Sequence, residues 1–574
     1  MKAKGALCAL IGCGLLAAAL PASAQSSAPA VVPNPPGGAL AFRDITAAAG
    51  LAGFQQVNGD AEKLLILESI GSGVAFLDHD RDGDQDVWLT NGGWIELPEG
   101  AAIPRDELFA NDGRARYTPV GAAMGADDAG WTMGIAVADV NGDGFDDVYL
   151  TQWGPNTLLF NREGRRFEAA AAERGAPDPG WSTGACFFDP DRDGDLDLYV
   201  TNYVDFDLAF TRAKPRTKYK DVEVYAGPRG LQPAQDTYWL NDGAGGFAEA
   251  TAESGILGHK GFGFQVVPID VDQDGWLDLF VANDSVANRL WINARDGKFR
   301  ESALRNGIAL SKSGMAQAGM GVALGDATGD ARLDLFLTTF SDDASTLFRS
   351  EGRGMFRDVS QMAGLAVPTM SKLGWGTLIE DLDGDGDAEI VQVNGHVYPQ
   401  VDRVSFGFRY RQVPQLFDNV GNGRFKDAGA GAGAAWSQPL AARGLARGDC
   451  DGDGDPDLLI GQLDGPPVLL ANESRRARAS LVVRLQGASG GRDPIGARVL
   501  CRAGGERSIA AWVRNQSFLS AHAAELWFAP PPQAEEVELH VAWPGGAIER
   551  FAGPARGSVE LIEGRGEAAA WPDS

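Results

Sequence analysis

The chain has 574 residues, enough for more than one domain and a sizeable core. Its 50 Lys and Arg face 78 Asp and Glu, a net charge of −28 that offers no basic field for phosphates and so excludes nucleic acid as a partner. Five cysteines without metal-site spacing exclude a zinc motif and argue against a disulfide framework.

The chain opens "MKAKGALCALIGCGLLAAALPASAQ", with Lys2 and Lys4, an apolar run and then Ala22-Ser23-Ala24. This predicts a secretory signal over residues 1–24, cleaved after Ala24, and a secreted or periplasmic protein. The rival reading, a lipoprotein acylated at Cys13 within "LIGC", is disfavoured because too little apolar sequence precedes that cysteine. Residues 25–41, with "SSAPAVVPNPPGG", read as a Pro-rich disordered linker. No later run is long enough to span a membrane. Of the remaining cysteines, Cys186 falls in a strand pattern as a core residue, and Cys450 and Cys501 complete an odd number.

Next comes "FRDITAAAGLAG" from Phe42, an aromatic-led strand without a sheet of its own, and then "DHDRDGDQD" from Asp78. That loop sets Asp78, Asp80 and Asp82 at positions 1, 3 and 5, Gly83 at 6, the Asp84 carbonyl at 7 and Asp86 at 9. One short turn with alternate side chains pointing inward wraps a hard cation in oxygen ligands, which favours calcium over magnesium or manganese. The pattern returns as Asp139, Asn141, Asp143, the Phe145 carbonyl and Asp147, and again as Asp189, Asp191, Asp193, Asp195 and Asp197. A fourth copy holds Asp270, Asp272, Asp274, the Trp276 carbonyl and Asp278. The fifth, "DATGDARLD", is weaker: Asp326, Thr328, Asp330 and Asp334, with Ala331 where the turn needs glycine. The sixth holds Asp381, Asp383, Asp385, Asp387 and Glu389, and the seventh Asp449, Asp451, Asp453, Asp455 and Asp457. These loops contain 31 of the acidic residues, so the acidity sits where six or seven Ca2+ ions are expected.

An EF-hand would need a glutamate at position 12 and flanking helices. Position 12 here is Leu89, Leu150, Val200, Val281, Leu337, Gln392 and Ile460, and the flanks ("GVAFLD", "VWLT", "LYVT") are strand formers. Each loop therefore joins two strands. Six loops are followed by an aromatic that begins an outer strand (Tyr117, Phe167, Phe247, Phe299, Phe356, Phe425), whereas the seventh lacks one. The orphan strand at Phe42 supplies it, which predicts an all-β, seven-bladed β-propeller closed on itself over residues 42–473. A small β-rich, sandwich-like domain is expected over 474–574.

The loops resemble FG-GAP or VCBS repeats of integrin alpha-subunit heads. The outer strands resemble those of bacterial relatives of cartilage acidic protein, which end in an ASPIC/UnbV domain. Here "RDPIGARVLCRAGG", "NQSFLSAH" and "VAWPGGAIERF" resemble that domain, and the resemblance covers residues 42–566. Two departures stand out: "LWFAP" at 526–530 where an "FGLG"-like segment is expected, and Ala226 where relatives often carry cysteine, which argues against a disulfide there. The resemblance implies calcium-dependent structure, secretion and interaction with a protein or glycan, as an adhesion-type module. A polysaccharide lyase or a structural envelope component are the alternatives; no nucleophile elbow, zinc motif or phosphate loop is present.

Thirteen residues after each first aspartate stand Asn91, Gln152, Asn202, Asn283, Thr339, Asn394 and Gln462. They either cap strand ends or ring the propeller's mouth. Beside this ring the third-blade insert carries "TRAKPRTKYK", the dense basic patch of an acidic chain. A partner site made of Tyr203, Lys218, Lys220, Asn394 and His396, suited to an anionic ligand, is the expectation.

Overall fold

The computed structural model describes residues 40–572 except 296, 405–406 and 489–492. The expected signal, Cys13 and residues 25–39 of the expected linker lie outside the described residues. Leu40 and Ala41, placed in that linker from sequence, are instead buried, because Leu40 joins the apolar core of the last blade and Ala41 N donates to Ser474 Oγ at 3.0 Å.

Among the described residues lie seven four-stranded sheets, each antiparallel throughout. In blade 1, Val74–Leu77 pairs with Asp86–Leu89 across the first loop, followed by Glu107–Asn111 and Tyr117–Pro119. Inner strands are covered on both faces, which is why they read as continuous apolar runs: Trp131–Ala138 is buried at every position. Outer strands bury only their leading aromatic, as at Phe167 and Phe247.

The innermost strands of blades 1 to 7 are Val74–Leu77, Trp131–Ala138, Ser182–Phe188, Gly263–Ile269, Gly319–Gly325, Gly374–Glu380 and Ala442–Gly448. Each packs against the next, and the last packs against the first. The last sheet takes its outer strand from the other end of the chain: Phe42–Asp44 pairs antiparallel with Val468–Asn472, Phe42 opposite Asn472. That pairing makes the seventh sheet four-stranded like the other six, with Phe42–Asp44 as its outer strand.

A second device closes the ring. In six of the seven blades an asparagine at the end of the third strand reaches back to the loop of the preceding blade. Asn161 Nδ2 donates to His79 O, Asn241 to Val140 O, Asn293 to Pro190 O, Asn419 to Ala327 O and Asn472 to Leu382 O. Asn111 donates to Cys450 O at 2.9 Å, which joins the first blade to the seventh. Blade 5 has Ser350 at this place, too short to span; across that seam Asn306 Nδ2 donates to Gly354 O at 2.7 Å instead.

The C-terminal part holds a three-stranded sheet, Leu526–Phe528, Leu481–Gln486 and Gly557–Ile562, and a five-stranded one centred on Arg498–Ala503 and Glu536–Ala542. Their core, with Trp512 and Trp543, is continuous with apolar residues of blades 2 and 3. From between these sheets residues 515–522, the "NQSFLSAH" segment, run into the centre of the ring. Ser517 N and O bond Val322 at 2.7 and 2.8 Å, Ile135 N donates to Leu519 O at 3.2 Å, and Ala521 exchanges hydrogen bonds with Val74 O and Phe76 N. Phe518 is fully buried against Trp375, 4.7 Å between ring centres, and Phe264, 5.6 Å. The same core receives Tyr203, Val222, Val224 and Tyr225 from the third-blade insert. The propeller's channel is filled by the C-terminal segment and by the insert.

Candidate functional site

All seven loops share one hydrogen-bonding scheme. The position-1 carboxylate accepts the N–H of position 6: Gly83 to Asp78 at 3.1 Å, Gly144 to Asp139 at 2.8 Å, Ala331 to Asp326 at 2.7 Å, Gly454 to Asp449 at 2.9 Å. The position-5 carboxylate accepts the N–H of position 7, as from Asp84 to Asp82 at 3.0 Å and from Asp387 to Asp385 at 2.9 Å. Position 6 needs a left-handed backbone, φ 95° at Gly83 and 99° at Gly386, and Ala331 is forced into it at φ 60°. Position 4 is left-handed as well, a demand the sequence hides because Arg81, Arg192 and Gln273 meet it beside glycines.

Position 9 has a structural task of its own. Asp147 Oδ1 accepts Asn161 N at 2.8 Å and its Oδ2 accepts Val140 N at 3.3 Å, so one buried carboxylate ties the loop to the third strand. Asp278 and Asp457 repeat this. Burial pushes Asp147, Asp197, Asp278, Asp334 and Asp457 up to about 8. Glu389, one methylene longer, keeps only Leu382 N at 2.9 Å and leaves Oε1 buried without a partner.

The donor set suits a hard divalent ion. Oxygens of Asp78, Asp80 and Asp82 lie within 4.8 Å of one another, as do those of Asp189, Asp191 and Asp193, of Asp270, Asp272 and Asp278, and of Asp381, Asp383 and Asp385. Asp78 Oδ1, Asp381 Oδ1, Asp451 Oδ1 and Asp455 Oδ1 are buried with no hydrogen-bond partner. Desolvation, with the neighbouring carboxylates adding to it, raises Asp78 and Asp381 to about 7 and Asp139, Asp189 and Asp449 to about 6. Crowded, partly orphaned carboxylates are what an added cation relieves. The fourth loop differs: Arg498 of the C-terminal domain places Nη2 2.9 Å from Asp270 Oδ2, so a fixed cation already shares that carboxylate.

The family of FG-GAP-like repeats matches residues 139–200, 270–337 and 326–391, and the ASPIC and UnbV family matches residues 487–568. The class is therefore an all-β propeller that contains FG-GAP-like repeats within residues 139–200 and 270–391. It carries a C-terminal ASPIC and UnbV domain. No curated protein matches the chain. Among solved structures it is similar to a lectin of Agrocybe aegerita, described for recognition of non-reducing terminal N-acetylglucosamine, at 15% identity over 70% of this chain and 94% of that one, TM-score 0.35. It is similar to YCF48 bound to D1 peptide, at 7% identity over 76% and 99%, TM-score 0.40. The BP39L lectin from Burkholderia pseudomallei matches at 10% identity over 70% and 96%, TM-score 0.40. These are likenesses of fold alone.

The expected partner site does not assemble at the surface. Tyr203 is buried, stacked on Phe264 with ring centres 4.4 Å apart, and its hydroxyl donates to Asp284 at 2.6 Å. Asn394 is buried and its Nδ2 donates to Val413 O at 2.9 Å, the strand-capping role. Asn91, Gln152, Asn202, Asn283 and Gln462 are likewise buried donors to nearby backbone or side chains. His396 is buried too. Burial, with Arg443 and Lys220 nearby, lowers it to about 3, and Nδ1 accepts Tyr398 N. The insert does reach His396, but through Tyr219, whose ring centre lies 5.4 Å away, and not through Tyr203. Lys220 is a clasp, 2.6 Å from Asp342 and 3.8 Å over Phe408. Lys218 alone of the five stays exposed.

One set of residues escaped sequence reasoning. Five positions before the first aspartate stand Gly73, Gly134, Gly184, Gln265, Gly321, Gly376 and Gly444. A Cβ on Gly73 would collide with Leu519 O, on Gly134 would lie 2.9 Å from Leu519 Cβ, and on Gly444 2.8 Å from Ser520 Oγ. Gln265 instead reaches in, its Oε1 accepting Leu519 N at 3.0 Å. The fixed register was visible in the sequence; the segment it accommodates was not.

Proposed function

We propose that this chain is an exported, calcium-binding propeller that works as an interaction module outside the cytoplasm. The observation that carries the reading is the clustering of carboxylate oxygens within 4.8 Å in the loops, with buried oxygens left unpartnered. Positions 1, 3, 5 and 9 and the position-7 carbonyl would hold the ion, which supplies charge neutralisation and stiffening of each strand–loop–strand unit. Loops 1, 2, 3, 6 and 7 fill first. Loop 4, shared with Arg498, and loop 5, with its strained Ala331, fill last. Export is supported by the basic, apolar and small-residue order of residues 1–24. The interaction role is supported by a rigid ring that presents a long insert on the face away from the loops.

Calorimetric titration of calcium into chelator-treated protein, with magnesium as competitor, tests the reading. Dissociation constants on the order of 10⁻⁴ to 10⁻³ M are expected, together with a higher melting temperature in calcium. Identical melting curves in calcium and in chelator would overturn it. Protein and glycan capture, run with calcium and again with chelator, tests the interaction role.

A further inference from the structure

The third-blade insert does more than cap the channel. Its helix Leu208–Ala213 and the following turn face both the loop that leads into blade 1 and the loop between that blade's second and third strands, and a cleft of about 430 Å3 separates them. One wall carries Arg212, Lys214 and Arg216, the other Asp60, Trp94 and Glu96. Thr211 lines the cleft, is only 8% exposed, and its Oγ1 has no hydrogen-bond partner. Arg216 is exposed and makes no ion pair with another described residue. Arg212 and Glu96 pair at 2.7 Å, both largely exposed, a contact too weak to close the cleft.

We propose that this cleft binds an anionic saccharide, one bearing carboxylate or sulfate groups. The inference deepens the interaction reading above and rests on it. A volume of this size fits a small ligand rather than a folded surface. The lining asks for a ligand of mixed character. Trp94 and Ile95 offer an apolar platform to the C–H face of a sugar ring. Asp60 and Glu96 accept hydrogen bonds from sugar hydroxyls, and Arg216 donates to an acidic group, with Lys214, whose Nζ also donates to Gly230 O, adding positive charge beside it. A bare phosphate or a polyacidic peptide would meet Asp60 and Glu96 as like charges without using the platform. The site stands in for the expected surface of Tyr203, Asn394 and His396, and draws on the other half of the same basic run.

The test uses the full chain in calcium, with oligogalacturonate and chondroitin sulfate oligosaccharides as carboxylate and sulfate probes, dextran as the neutral control and polyglutamate as the acidic-peptide control. Binding of one or both charged saccharides is expected, weakened by salt, with no binding of either control. R216A should weaken it roughly tenfold or more without moving the melting temperature, and W94A should do the same to the sugar-ring contribution. R300A, on an exposed outer strand of blade 4, should change nothing. The proposal is overturned if no charged saccharide binds, if dextran or polyglutamate binds equally well, or if R216A binds as tightly as the parent. Saccharide binding that ignores R216A would sink the cleft and leave the interaction role standing; a calcium-insensitive melting curve would sink the calcium reading and leave the cleft standing.

Discussion

The acidic loops and the channel are built from the same seven repeats, yet they are stabilised in opposite ways. Each loop is local: nine residues close a turn by hydrogen bonds from positions 6 and 7 to the carboxylates of positions 1 and 5. The channel is non-local: Leu519 meets Gly73, Gly134 and Gln265, residues hundreds of positions away. Loops with seven near-copies tolerate a defective one, as blade 5 shows with Ala331 and Ser350. The channel is filled by two segments, the insert and residues 515–522, and neither has a second copy. Damage to it should therefore be global, and damage to a loop partial.

The largest expected effect is at the centre. F518A removes a buried ring from contact with Trp375 and Phe264 and should destabilise the chain by about 3–5 kcal/mol, read by urea denaturation; a change below 1 kcal/mol would mean the segment is not part of the core. Next is ring closure. Deleting residues 42–50 removes the outer strand of the last sheet and should lower the melting temperature far more than deleting residues 25–39. Equal melting of the two truncations would break the closure argument.

Third is calcium and pH together. The carboxylates of Asp78, Asp139, Asp147 and Asp381 sit above their unfolded values, at about 6 to 8, so without metal the folded chain takes up protons that the unfolded chain does not. In chelator, stability should therefore rise as pH falls from 8 towards 5. In calcium the same protons compete with the ion, and the difference in melting temperature between the two conditions should shrink over that window. A gap that widens on acidification would count against metal binding at these carboxylates. The smallest effect is A331G, which relieves a left-handed alanine and should stabilise by about 1 kcal/mol, a shift of a few degrees or less for a chain of this size.

What could be read beforehand follows the same division. The loops, the outer aromatics and the strand shared between the two ends were legible because their partners lie within a few residues or repeat at a fixed register. Ala331 is left-handed, as its place in the turn demanded. The filling of the channel was not legible, since nothing in "NQSFLSAH" says that it enters a ring of glycines. Polar side chains misled at the mouth. Asn394 and His396 stand at strand ends, where bonding to a neighbouring backbone and bonding to a ligand call for the same residue types, and burial decides between them.

The position of residues 515–522 in the chain has a consequence for biogenesis. Every inner strand precedes them, so during synthesis all seven repeats are present before the bore can be filled. The glycines that make room for the segment leave, until then, a cavity with exposed backbone and apolar walls of Phe264 and Trp375. Such a state is loosely packed and prone to capture by proteases or to aggregation. A product cut short before the C-terminal domain would thus lack part of its own interior rather than an appendage.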